Sequence, residues 1–99
     1  MADLGIQEFD PADCLTNAER IAAYIQTVAE EPDHDARAII RAFAVAVRAR
    51  GGAETVAADA GMSAQSLSDA LADDGNPSFD TILKIARAVG VAVSFGVVR

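Results

Sequence analysis

The sequence predicts an all-α domain of five helices closed by a short C-terminal β-strand, and three observations predict it. Apolar residues recur at helical spacing between Ala18 and Val89. Those periodic blocks begin at side chains that cap helices and end at glycines and prolines that stop them. After Gly90 the apolar period changes to two, which is the spacing of a strand.

Residues 1–15 read as an extended N-terminal segment and residues 16–99 as one helical domain. Thr16 with Glu19 has the form of a capping box, and Ala18, Ile21, Ala22, Ile25, Val28 and Ala29 follow on one face until Glu30-Glu31-Pro32 ends the first helix. Asp33 or Asp35 caps the second helix, whose apolar face holds Ile39, Ile40, Phe43, Ala44 and Val47. Arg48 and Arg50 fall in its last turn, where cations suit the helix dipole, and Gly51-Gly52 stop it. A third helix spans about Ala53 to Ala60, and a fourth runs from the cap Ser63 to about Ala72. The small residue, glycine and cap of Ala60-Gly61-Met62-Ser63 suit a tight corner, so residues 53–72 read as a helix-turn-helix unit. Asp73-Asp74-Gly75-Asn76-Pro77 is a turn. Ser78 then caps a fifth helix with Phe79, Ile82, Leu83, Ala86 and Val89 facing inward and Gly90 at its end.

Val91, Val93, Phe95 and Val97 give the strand, at about 91–97. Its backbone needs a partner. One solution is an extended piece near Ile6 to Phe9, and the other is the same strand of a second subunit. The second would make a symmetric homodimer, and it is the arrangement favoured here.

Composition sets the outer limits. Ninety-nine residues supply one core, and with 52% apolar residues but only 5% aromatic ones that core is built of small side chains. The longest apolar run, Ala88 to Val98, is shorter than the ~20 residues of a membrane span, and no signal segment opens the chain, so a cytoplasmic protein is expected. The single Cys14 reads as a buried apolar residue, and His34 as a loop residue; neither suggests a metal site. No nucleophile–base pair or glycine-rich phosphate loop is present, so neither enzyme activity nor a cofactor is expected.

The net charge of −7 is unevenly spread. Residues 1–35 hold nine acids (Asp3, Glu8, Asp10, Asp13, Glu19, Glu30, Glu31, Asp33, Asp35) against Arg20 alone, whereas residues 36–99 hold six acids and seven bases. Such a division suits a basic partner at the acidic front and DNA at the nearly neutral remainder; the plain alternative is that the acids only keep a small protein soluble.

The helix after the corner would enter a major groove. On it, Gln65 suits adenine, Ser66 and Ser68 suit base edges or phosphates, Ala64 suits a thymine methyl, and Asp69 would demand a cytosine amino group. Ser63 caps the helix and lies beside these. Each of these positions also has a plain reading as exposed helix surface. Arg48, Arg50 and Lys84, with Arg37 and Arg41, are the candidate phosphate contacts. No base lies between Arg50 and Lys84, so the non-specific electrostatic foundation is thin.

Two strings carry a family resemblance. Val56-Ala57 to Leu71, with Gly61, Ser63, Leu67 and Leu71, and then GNPSFDTILKIARAVGV from Gly75 to Val91, resemble the Xre/Cro-type helix-turn-helix family. FDPADCLTNAERIAAYIQTVAEE, from Phe9 to Glu31, is similar to the start of HigA-like antidote (antitoxin) proteins of addiction modules. The resemblance covers about residues 8–97. It implies an antitoxin that neutralises a small basic RelE/HigB-like ribonuclease toxin and binds double-stranded operator DNA to repress its own operon. Phe9, Glu19, Tyr24, Glu30 and Glu31 are then the candidate toxin contacts. The alternatives are an Xre-type regulator without a toxin, and an antitoxin that has lost DNA binding. The fourth helix departs from the family's usual basic character.

Overall fold

The computed structural model describes residues 15–31 and 35–95. Within them the chain forms five α-helices, α1 (Ala18–Glu30), α2 (Ala36–Ala49), α3 (Ala53–Ala60), α4 (Ala64–Ala70) and α5 (Phe79–Ala88). Helix α1 lies along α2, and α3 is the central piece against which α4 and α5 both pack.

Side-chain caps start four of the helices. Asp35, Ser63 and Ser78 accept from the backbone N–H groups of Ala38, Ser66 and Thr81, as expected. At α1 the cap is Asn17 instead of Thr16: its Oδ1 accepts from the Arg20 N–H at 2.8 Å. Glu19 is thereby too early in the helix to close a capping box. Asparagine ranks above threonine as a cap, so the one-residue shift follows the stronger acceptor.

The corner is built as a left-handed stop. Gly61 adopts φ 75°, ψ 34°, its N–H donates to Ala58 O, and the Met62 N–H reaches Ala57 O at 3.0 Å. This paired bonding ends α3, turns Met62 onto the core and separates α3 from α4. Nothing would crowd a Cβ at Gly61, so the demand is purely conformational. Gly61→Val is therefore expected to lower unfolding free energy by about 2 kcal/mol, read as a shifted urea midpoint. A midpoint equal to wild type would mean that the corner does not need the left-handed conformation.

The core is small and aliphatic. Ile21, Ala46, Val56, Leu67, Ile85 and Val89 are at most 2% exposed, and Phe43 is the one aromatic ring in the buried cluster among the described residues. Each fully buried aliphatic side chain contributes roughly 1.5–3 kcal/mol. The seven residues of α4 are too few to be stable as an isolated helix. Burial of Leu67, with Leu71 packed beside it, holds the helix in place.

Three expectations need correcting. Helix α4 ends at Ala70 and not near Ala72. On α5, Phe79 and Leu83 are exposed at 59% and 39%, while Ile85 is fully buried. The inward face is Ile82, Ile85, Ala86 and Val89, an arc rotated by roughly 45° from the one expected. Finally, no strand is formed among the described residues, and 91–95 has no ladder partner among them. A strand needs a partner for its backbone groups; of the two candidates, Ile6 to Phe9 lies outside the described residues, and the other is a second copy. Cys14, His34 and Phe9 lie outside the described residues too.

Candidate nucleic-acid interface

Because Leu67 turns inward, the residues around it on α4 turn outward. Gln65, Ser66, Ser68 and Asp69 are exposed, while Ala64 is half-buried against the core. Ser63 Oγ accepts from the Ser66 N–H at 3.0 Å and donates to Ser66 Oγ at 2.9 Å, so these two hydroxyls serve the helix start first. Gln65 Nε2 donates to Asp69 Oδ1 at 2.8 Å. A carboxylate only accepts, which fixes the Gln65 amide with its nitrogen toward Asp69. The second amide hydrogen and the carbonyl oxygen are the donor and acceptor that an adenine edge requires. Asp69 thus orients the Gln65 amide in the free protein.

The candidate cations are scattered. Arg48 is an exposed residue in the last turn of α2, Arg50 is that helix's C-cap, and Arg41 is exposed on its middle. Lys84 forms an exposed pair with Asp80 at 3.2 Å within α5. Arg37 is tied down elsewhere: its Nη1 donates to Gly75 O at 2.7 Å, joining α2 to the turn between α4 and α5.

That link escaped sequence reasoning, and so did the reason for Gly75. A Cβ there would lie 2.5 Å from both Asp69 O and Ala70 O, so the chain folds back directly over the last carbonyls of α4. Arg37, Gly75 and the end of α4 form one connected support. Arg37→Met keeps the aliphatic stem and removes the donor. It is expected to cost about 2 kcal/mol, measured by urea unfolding, and an unchanged midpoint would show that the contact does not hold the turn.

The acidic candidates fall on α1. Glu19 and Glu30 are exposed and eleven residues apart, which puts them on one stripe of the helix with Ala23 and Gln26 between them. Gln26 Nε2 donates to Glu30 Oε2 at 2.7 Å, and Glu31 is the exposed C-cap. Tyr24 is turned away from this stripe and packs half-buried against the core. Glu19 and Glu30 therefore share one stripe of α1, with Glu31 just past its end and Tyr24 apart from it. No group of His, Cys, Asp and Glu among the described residues could hold a metal ion, and no described helix is long and apolar enough to cross a membrane.

Fold and surface together define a small all-helical domain with a helix-turn-helix-like corner, a polar outward helix and an acidic first helix. A family model described as probable addiction module antidote protein matches residues 5–97. An uncharacterized protein of Haemophilus influenzae is 34% identical over 86 residues, which is 87% of this chain and 86% of the relative. No solved structure matches. The chain belongs to the family of probable addiction module antidote proteins.

Proposed function

We propose that the protein is the antitoxin of a type II toxin–antitoxin module, of the HigA-like, Xre/Cro-type helix-turn-helix kind, acting in the cytoplasm as a homodimer. Its acidic α1 stripe neutralises a small basic RelE/HigB-like ribonuclease toxin. Its α4 reads operator DNA in the major groove, with Gln65 as the principal base contact, and so represses the operon. The antidote family supplies the partner class, and the observation that carries the DNA half is an exposed Gln65 held by Asp69 in an adenine-reading orientation.

A second reading keeps the toxin and drops the DNA. The observation favouring it is that α4 carries Asp69 and no cation. Electrophoretic mobility shift on the operon's own promoter, with and without toxin at 50 and 200 mM salt, separates the two. DNA reading predicts a specific shift whose affinity falls by roughly two hundredfold between the two salts, less than a more basic reader would lose. Two phosphate contacts per subunit give a slope of about −4 for a dimer. The absence of a specific shift even with toxin present would leave only the toxin-binding role.

A further inference from the structure

Asp69 stands where neither its helix nor DNA favours a carboxylate. It lies in the last turn of α4, which ends at Ala70, and a negative charge there opposes the helix dipole. It is exposed on the face proposed to meet DNA, where it repels phosphate. Among the described residues no cation pairs with it; its partner is Gln65, whose Nε2 donates to Oδ1 at 2.8 Å. The backbone beneath it is held fast. The Ala72 N–H donates to Asp69 O at 3.4 Å, and the turn at Gly75, clasped by Arg37, folds back over the same oxygen. The carboxylate therefore reaches from a fixed point to the residue one turn before it on the same stripe.

A glutamine amide carries two N–H donors and one carbonyl acceptor. With one hydrogen committed to Asp69, a single donor remains beside the carbonyl oxygen. An adenine edge offers the matching pair, an N6 donor and an N7 acceptor. A guanine edge offers two acceptors, N7 and O6, and so takes two donors at once. An unheld glutamine can turn its amide and supply both hydrogens. Held by Asp69, Gln65 cannot, and its carbonyl oxygen then meets O6. Phosphate repulsion by Asp69 weakens binding to every sequence alike, whereas the committed hydrogen acts against one base.

We propose that Asp69 is a positioning residue that stays bonded to Gln65 on DNA and makes α4 select adenine over guanine. The inference rests on the DNA half of the proposed function and names the residue that sets its specificity. Fluorescence anisotropy titrations of the full chain test it, on duplexes of the operon's own promoter in which each A·T pair is replaced in turn by G·C. Wild type is expected to lose about tenfold or more in affinity at one adenine of each half-site. Asp69→Ala should cut that loss to about threefold or less, while binding every duplex more tightly because the repulsion is gone. Asp69→Asn keeps an oxygen acceptor without the charge, so it should bind more tightly and still discriminate. In a Gln65→Ala chain, adding Asp69→Ala should leave the preference at that position unchanged. A role in helix stability alone would move none of these base preferences. A wild type with no such adenine, discrimination retained by Asp69→Ala, or an Asp69→Asn chain no better than Asp69→Ala would overturn the proposal. So would a preference relaxed at a C·G pair instead of the adenine, because Asp69 would then be reading cytosine itself. Those outcomes leave operator binding standing, whereas no specific binding by wild type removes the DNA half of the function and this proposal with it.

Discussion

Gly75→Ala is expected to lower the unfolding free energy by about 3 kcal/mol, a large share of the roughly 5–15 kcal/mol that holds a domain of this size. The added methyl would lie 2.5 Å from two backbone carbonyl oxygens, Asp69 O and Ala70 O, and neither can swing away as a side chain would. Relief requires the turn to lift off α4, and lifting it also breaks the Arg37 contact to Gly75 O. The loss should therefore exceed that of Gly61→Ala, where no atom is crowded and only the left-handed φ of 75° resists substitution, a cost of about 1–2 kcal/mol. Urea melts of the two variants give the ordering. If Gly75→Ala melts with wild type, the close approach of the turn to α4 is not a feature of the folded protein.

What the sequence announced and what it hid divide along physical lines. Asp35, Ser63, Ser78 and Gly61 act within four residues of themselves, through a side-chain acceptor or a left-handed φ, so residue type and spacing suffice to find them. Asn17 was missed because two adjacent residues could both cap, and the choice between them depends on which one adopts the extended backbone. The exposure of Phe79 and Leu83 depends on how α5 is rotated against α3, and a helix with apolar residues around most of its girth leaves that rotation open. Arg37 and Gly75 are separated by 38 positions, so no local pattern joins them. The candidate site follows the same rule. An exposed Gln65 follows from Leu67 facing inward, and its bond to Asp69 is an i,i+4 pair that helical geometry allows. The grouping of Glu19 with Glu30, apart from Tyr24, needed the helix to run unbroken from Ala18 to Glu30.

Reversal of Glu19, Glu30 and Glu31 to lysine is expected to weaken binding to the basic toxin proposed as partner by about a hundredfold or more. All three side chains are exposed, and none belongs to the buried core, so the helical circular dichroism spectrum should be retained. Glu19 and Glu30 are separated by about 16 Å along one stripe of α1. A basic partner lying along the helix can meet both at once, and reversal then replaces attraction with repulsion at two points of one contact. Net charge alone could lower affinity, because the change is six units on a chain of −7. The control is reversal of Glu54, Asp73 and Asp74, which changes net charge identically and touches exposed positions outside α1. A stripe-specific contact predicts a large loss for the first triple and a loss of only a few-fold for the second, with the first also showing a slower association rate and a flatter salt dependence. Equal losses would mean that the toxin senses the overall field of the protein, and no loss in either would place the contact away from α1.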